Sequence, residues 1–382
     1  MPDRVVYLDN HATTRVDPRV VEAMRPYWTE KYGNAASVSH AYGEEAADAV
    51  ETARAQIAEL LNATPRNLIF TSGATEANNL AIKGVIQAVG SSVHLIVNEA
   101  EHRAVLDPAR KLKRLGCELT VLPVDKYGMV DPQSVAAAIQ PNTALVSVMF
   151  ANNEVGTINP VAEIGEICHE RGVLFHCDAA QAVGKLPVDL ADLPIDLLSL
   201  TAHKMYGPMG VGALYVRGGD KRIPIEPLFD GGGHERRLRS GTLPVPLIVG
   251  FGEACKLAAE VMRDESKRVQ QLRDRLWGGL SEAVEGVYLN GHPDLRLAGN
   301  LNVSFDGVDG DALMMGLRDI AVSSGSACTS ADPQPSHVLR AMGVSDELTR
   351  ASLRFGLGRF TTLEEIEFAV SYVADAIDRL RR

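Results

Sequence analysis

The feature that most limits what this chain can fold into is a regular alternation, from about Asp17 to Arg217, of short apolar runs with amphipathic helical stretches. The runs are "NLIFTSG", "SVHLIVN", "CELTVLPV", "TALVSVMFAN", "VLFHCDA", "IDLLSLTAH" and "GVGALYVR". Between them lie helical patterns such as "TEANNLAIKGVIQAV" and "PVAEIGEICHERG", preceded by the long amphipathic "EEAADAVETARAQIAELLN". Strands that alternate with helices in this way predict an α/β domain whose parallel sheet is covered on both faces. Asp17 followed by Pro18 is an N-cap and a first-turn proline, so a helix is expected through Tyr27. A second proline, Pro108, predicts an irregular helix at "RAVLDPARKLKRLG".

From Pro244 to about Glu285 the pattern becomes one long, mostly helical stretch, and the order of elements then changes. "NLNVSFDGV", "DALMMGLRDI", "ASLRFGLGR" and the closing helix "TLEEIEFAVSYVADAIDRLRR" predict a smaller α/β domain. The expected division is a large domain over 15–250 and a small one built from 1–14 and 251–382, which suits a 382-residue chain. Within the large domain "FDGGGHERRLRSGT", Phe229 to Thr242, is too ordered in charge for a linker and reads as a functional loop.

The net charge of -11 argues against a nucleic-acid footprint, which needs clustered Lys and Arg to displace counterions. The start "MPDRVVYLDN" has no apolar leader, and no run approaches the roughly 18 apolar residues of a membrane span, so a cytoplasmic protein without membrane attachment is expected. No HExxH spacing, GxSxG elbow or Walker loop occurs, and no metal site is expected. The five cysteines, Cys117, Cys168, Cys177, Cys255 and Cys328, are odd in number and form no CxxC pair, which argues against a disulfide framework or a zinc knuckle. Four of them sit in apolar-periodic segments as core residues. Cys328 stands among small hydroxyl residues in "VSSGSACTS", where reactivity explains a thiol better than packing does. That segment has no packing anchors, so a mobile loop is expected, with Cys328 poorly ordered or far from Lys204 at rest.

Several strand ends carry chemistry. Lys204, directly after the apolar "LSLTAH", is placed for desolvation and so for Schiff-base formation; a solvated loop lysine is the plain alternative. Asp178 ends another strand 26 residues earlier, where it can serve a pyridinium nitrogen or simply cap the next segment. In "FTSGATEANN" a helix opens at Ala74 and Thr75 behind small residues, an arrangement that can admit a phosphate to free backbone N–H groups. His102 follows a strand in "NEAEHRAV" and can lie against a ring or move a proton, or be an ordinary turn histidine. Asn153, Gln181 and His203 are further polar groups at strand ends, able to hold a cofactor's hydroxyl and phosphate. Arg354, mid-strand in "ASLRFGLGRF", needs an anion: a substrate carboxylate or an internal acid, the latter favoured for a lone arginine.

In this order, "YLDNHATT", "GNAASVSHAYG", "FTSGATEANN", "EAEH", "NNEVG", "DAAQAVGKLPVD", "TAHKMYGPMGVG", "GGGHERRLRSGT", "SSGSACTS" and "LRFGLGRFTT" resemble the cysteine desulfurases, the NifS/IscS-like branch of class V aminotransferases. The resemblance implies the pyridoxal phosphate (PLP) transferase fold of type I: a large domain with a mainly parallel seven-stranded sheet, and a smaller α/β C-terminal domain. It implies Lys204 as the lysine that binds the cofactor, Asp178 at the pyridine nitrogen and His102 stacked on the ring. Ala74, Thr75, Thr201 and His203 would hold the phosphate, with Asn153 and Gln181 near the ring hydroxyl. Thr242 would reach the phosphate of a second subunit, which makes a homodimer. Arg354, with Asn153 beside it, would bind the carboxylate of L-cysteine.

Cys328 would receive the sulfur as a persulfide, its thiol activated by cationic neighbours such as His102. The sulfur would pass to an acceptor protein such as an iron–sulfur scaffold, and nucleic acid would enter only indirectly, through tRNA thiolation. Met209 stands where many members carry a basic residue and Gly356 where serine is common, neither with an expected role. The sequence ends at Arg382, where many housekeeping members continue into a scaffold-docking tail, so the acceptor stays open. A selenocysteine or cystine lyase, an aminotransferase, or a sulfur carrier without turnover are the competing readings.

Overall fold

The computed structural model describes residues 5–90, 92–218, 223–324 and 335–382. The seven apolar runs form one sheet, ordered Leu68–Thr71, Gly212–Val216, Leu197–Thr201, Leu174–Asp178, Thr143–Ser147, His94–Asn98, Glu118–Leu122. Gly212–Val216 alone among these seven runs against its neighbours; the other pairings are parallel. Chain length explains the exception, because a parallel return needs a crossover of about a dozen residues or more, whereas only 202–211 separate Leu197–Thr201 from Gly212–Val216. The short return is the segment that carries Lys204.

Both sheet faces are apolar because successive side chains point to opposite sides. Leu68 and Phe70 pack with Ile57, Ile164 and Phe251 on one face, while Ile69 packs with Leu80, Val85 and Val105 on the other. A further core joins Val6 and Leu8 to Leu276, Leu301, Phe355 and Val373, around a four-stranded antiparallel sheet ordered Ser323–Ser324, Ser352–Gly356, Asn300–Phe305, Val287–Asn290. The 39-residue helix Val245–Ala283 contributes Ile248 and Phe251 to the first core and Leu276 and Leu280 to this one. Val6–Tyr7 pairs with Ile320–Ala321, and Asn10 N donates to Gly356 O (3.0 Å), which leads residues 9–13 from the small sheet to the large one.

Two local expectations change. The first helix ends at Met24 and resumes as Pro26–Thr29, because Pro26 lacks the N–H that would continue it. Pro108 lies inside the unbroken helix Arg103–Arg114, where it is buried. Among the described residues no helix is long and apolar enough to cross a membrane, and no group of three or more His, Cys, Asp or Glu could hold a metal ion.

One buried histidine ties the sheet together and sets an acid limit on its stability. His176 Nδ1 meets Ser147 Oγ (2.8 Å) and Nε2 meets Ser199 Oγ (3.0 Å), so the ring bridges both neighbouring strands. Desolvation pulls its pKa down to about 3. A depressed histidine is neutral in the fold and protonated in the unfolded chain below about pH 6.5, so its share of stability is intact above pH 6.5 and falls as pH drops toward 3. The expected cost is about 1.4 kcal/mol per pH unit in that window. In chemical denaturation between pH 6 and 4, His176→Leu is expected to flatten the pH slope by up to one proton; an unchanged slope would show that His176 does not titrate as described.

Candidate active site

Because six of the seven strands run the same way, their C-terminal ends and the loops that follow collect at one sheet edge, the usual ligand-binding edge of an open α/β sheet. A cavity of about 670 Å³ opens there, lined by Ala74, Thr75, His102, Asn153, Asp178, Gln181, Thr201, His203, Lys204 and Arg354 among others. Ten candidates scattered over 281 positions of sequence therefore share one cavity. Of the other two, Thr242 is exposed and does not line it. Cys328 lies outside the described residues, so the expectation of a mobile or distant thiol is not addressed.

Lys204 ends the short 3-10 turn Ala202–Lys204. Its Nζ donates to the backbone carbonyls of His11 and of Ala12, the latter at 2.6 Å. The turn is held firmly: Tyr206 has a left-handed backbone (φ 66), its N–H donates to Thr14 Oγ1 (2.8 Å), and the Arg359 guanidinium lies 4.0 Å from its ring centroid. Non-glycine residues persist in that region only when their surroundings impose it.

Asp178 accepts from Asn78 Nδ2 (2.6 Å) and from the backbone N–H of Ala180 (3.0 Å). Asn78 stands on the helix Ala74–Val89, so the carboxylate and the helix start are joined by one hydrogen bond. No side chain caps that helix, whose N-cap is Gly73 at φ 151. A Cβ on Gly73 would meet only Thr201 Oγ1, at 3.8 Å, and the positive φ demands glycine. Open backbone N–H groups and the positive end of the helix dipole thus face the cavity.

His102 caps the helix Arg103–Arg114, its Nδ1 accepting from Ala104 N (3.0 Å), which leaves the proton of the neutral ring on Nε2. Desolvation lowers its pKa despite the opposing charge of Asp178. Desolvation thus works against the cationic His102 expected to activate the Cys328 thiol, which itself lies outside the described residues. His203 is likewise neutral, its pKa lowered to about 4 by desolvation and by Lys204 and Lys185; its Nδ1 meets Thr13 Oγ1 at 3.1 Å.

Arg354 meets the internal acid, the second of its two alternatives. Nη2 donates to Asp9 Oδ1 and to Ser323 Oγ, each at 2.8 Å, and Nη1 to Asn153 O at 3.0 Å. Nε is buried without a partner, so the internal acid leaves part of the guanidinium unused. Gln181 is more committed than expected: Oε1 meets His11 Nδ1 (2.9 Å) and Lys185 Nζ (2.8 Å), and Nε2 donates to His11 O (2.9 Å).

Sequence reasoning missed Asp9, His11, Asn78, Glu101 and Lys185. Asn78 carried a signal, a polar residue one turn into an apolar helix face. Glu101 precedes His102 and is fully buried; desolvation, then the charge of Asp178, raises its pKa well above the usual carboxylate range, and it accepts from Met149 N (2.6 Å) and from Asn98 Nδ2. His11 lies 170 residues from Gln181, and no spacing rule joins them. The two departures noted in the sequence also touch the site. Met209 lines the cavity, and a Cβ on Gly356 would stand 2.8 Å from the backbone nitrogens of Asn10 and His11, the segment that holds Lys204.

The loop over 229–244 reaches the same end of the helix Ala74–Val89. Arg239 Nε pairs with Glu76 Oε1 (2.9 Å), while Glu235 pairs bidentately with Arg54 (2.8 and 2.9 Å) and accepts from Phe70 N (2.7 Å). These anchors hold three consecutive left-handed residues, Glu235, Arg236 and Arg237.

Comparison with known proteins places this geometry. The family model for class-V aminotransferases matches residues 6–368. A cysteine desulfurase IscS of Anaeromyxobacter dehalogenans (strain 2CP-C) is 54% identical over 379 residues, 98% of this chain and 93% of that protein. A solved structure of a NifS-like protein superposes with a TM-score of 0.92 at 38% identity, covering 98% of this chain and 100% of that one. A structure of SspA in complex with cysteine superposes with a TM-score of 0.83 at 37% identity, covering 94% of this chain and 100% of the other.

Proposed function

We propose roles for these residues from one premise: the chain belongs to the class-V aminotransferase family and is a PLP-dependent cysteine desulfurase. The observation that carries the residue assignments is the meeting of Lys204, Asp178 and the uncapped start of the helix Ala74–Val89 in one cavity. That donor set fits the cofactor: an amine for its aldehyde, a carboxylate for its ring nitrogen, and N–H groups for its phosphate. When bound, pyridoxal phosphate supplies an electron sink that makes bonds at Cα and Cβ of an amino acid labile.

The phosphate would be held by Ala74, Thr75, Thr201 and His203, and Asp178, oriented by Asn78, would keep the ring nitrogen protonated. His102 would lie against the ring and could move a proton at Nε2. Asn153 and Gln181 would serve the ring hydroxyl, Gln181 with its amide already tied to His11. Arg354 binds the cysteine carboxylate, using Nε and the edge shared with Asn153, while Asp9 keeps the guanidinium in place. Lys204 moves protons at the substrate carbons once its nitrogen is released. The Cys328 thiolate would attack the substrate sulfur, so that the S–S bond of a persulfide forms as the Cβ–S bond breaks; the electron pair stays with the carbon skeleton, which leaves as alanine after protonation. Thr242, exposed within the anchored 229–244 loop, would reach the phosphate site of a second copy in a homodimer. The separate cores support reading 15–250 as the cofactor domain and 1–14 with 251–382 as the small domain. The acceptor is a sulfur-carrying protein such as an iron–sulfur scaffold, in the cytoplasm.

Purified protein is expected to show a visible band at about 390–430 nm and to release alanine from L-cysteine. Absence of the band after reconstitution with the cofactor would overturn the Lys204 assignment.

A further inference from the structure

Behind the cavity a second amine is wired to the first. Lys185 Nζ donates to Gln181 Oε1 (2.8 Å), Gln181 Nε2 donates to His11 O (2.9 Å), and the same His11 carbonyl accepts from Lys204 Nζ. An ammonium offers donors alone, so Lys185 fixes which end of the Gln181 amide faces it. With Oε1 so fixed, His11 Nδ1 must be the donor in its 2.9 Å contact with that oxygen. His11 Nε2 is then a bare lone pair, and it is buried without a partner. One lysine therefore sets an amide orientation, a histidine tautomer and the carbonyl that holds the cofactor lysine.

We propose that Lys185 is a positioning residue for Lys204, acting through Gln181 and His11 and through its own positive charge, and that it weakens proton binding at the Lys204 nitrogen. The inference rests on the assignment of Lys204 as the cofactor lysine. Burial works against this charge: desolvation lowers the Lys185 pKa to about 7, with the charges of Lys204 and Arg354 adding to it, so the ammonium and its repulsion of Lys204 are present in full only below neutral pH. The charged and titratable groups around Lys185 come from four other elements: Lys204 and His203 on the lysine turn, Arg354 on the small sheet, His11 on the N-terminal segment, and Glu265 on the long helix. Glu265, with Tyr206 and Ser266, shares with Lys185 and His11 a small cavity of about 30 Å³ behind the site. Glu265 is the sole acid of that set, and it is already held by Arg359 Nε at 2.6 Å. Its compensation of Lys185 is thus partial, and repulsion between the two lysines persists.

The test is a spectrophotometric pH titration of the visible cofactor band in the holoenzyme. Lys185→Met removes both the charge and the contact to Gln181; Lys185→Gln keeps a polar contact without the charge. Both are expected to raise the apparent pKa of the band by about one unit, the usual size for loss of a nearby like charge. Lys185→Arg, which keeps the charge, is expected to stay within about 0.3 of the parent protein. An unmoved pKa in Lys185→Met and Lys185→Gln, with the band present, would overturn the inference; if Lys185→Met does not retain the cofactor, Lys185→Gln decides. A parent protein with no visible band would instead overturn the Lys204 assignment, so the two failures are distinguishable.

Discussion

Lys204→Ala is expected to lower alanine release from L-cysteine by at least about 10³-fold and to remove the absorbance that depends on a covalent bond between protein and cofactor. The loss is large because the lysine has two tasks that no neighbour can take over. On the proposed assignment it would hold the cofactor before substrate arrives and would move protons at the substrate once its nitrogen is free. His102 and His203, which line the same cavity, have pKa values lowered by desolvation and are tied at Nδ1 to Ala104 N and Thr13 Oγ1. The variant should still retain cofactor, since the helix start at Ala74 and Thr75 and the Asp178 carboxylate remain, so bound phosphate and activity separate. Measuring alanine by amino-acid analysis beside the spectrum checks both parts; more than about a tenth of the parent rate would exclude Lys204 from the chemistry.

How much of this was legible in the chain depends on how far apart the interacting residues lie. The seven strands were readable because each carries its own signal, an apolar run bounded by polar turns, and their ends marked Asp178, Lys204 and the helix start at Ala74 without any knowledge of pairing. The antiparallel Gly212–Val216 strand follows from its short connection, again a local property. What sequence reasoning missed is what joins distant segments. Asp9 meets Arg354 across 345 positions, and His11 meets Gln181 across 170. Pairing of the N-terminal segment with the small sheet creates those contacts, and no periodicity announces them. The charge of His102 is hard to read for a related reason: a histidine beside a strand reads as a switch near neutrality until its burial is known. Pro108 shows the same limit in a helix, since tertiary burial overrides a local breaker.

Cys328→Ala is the substitution that separates desulfuration from every neighbouring chemistry of this fold. A lyase or an aminotransferase acting through Lys204 and Asp178 needs no thiol, whereas transfer of sulfur to the protein needs a nucleophile that no other cysteine can supply. Cys168, Cys177 and Cys255 are buried in cores, with desolvation raising each thiol's pKa, and the burial-raised Cys117 thiol contacts the Val93 carbonyl at 3.2 Å. In sequence Cys328 stands four residues after Ser324 and seven before Pro335, and both of those line the cavity. Flanking contacts bind the two approaches to site groups: Ser323 Oγ donates to Asp9 Oδ1 (2.9 Å), Ser336 Oγ to Glu154, and His337 Nε2 meets the Glu101 carbonyl at 2.9 Å. The chain on either side of the thiol thus starts and finishes at the cofactor cavity. The variant is therefore expected to keep the visible band, to form no persulfide, and to release alanine at least about 10²-fold more slowly. Trapping the persulfide with an alkylating label and measuring alanine in parallel tests this. Undiminished alanine release, with the sulfur passing to an added small thiol instead of to the protein, would reassign the chain to a lyase, whatever its other cavity residues do.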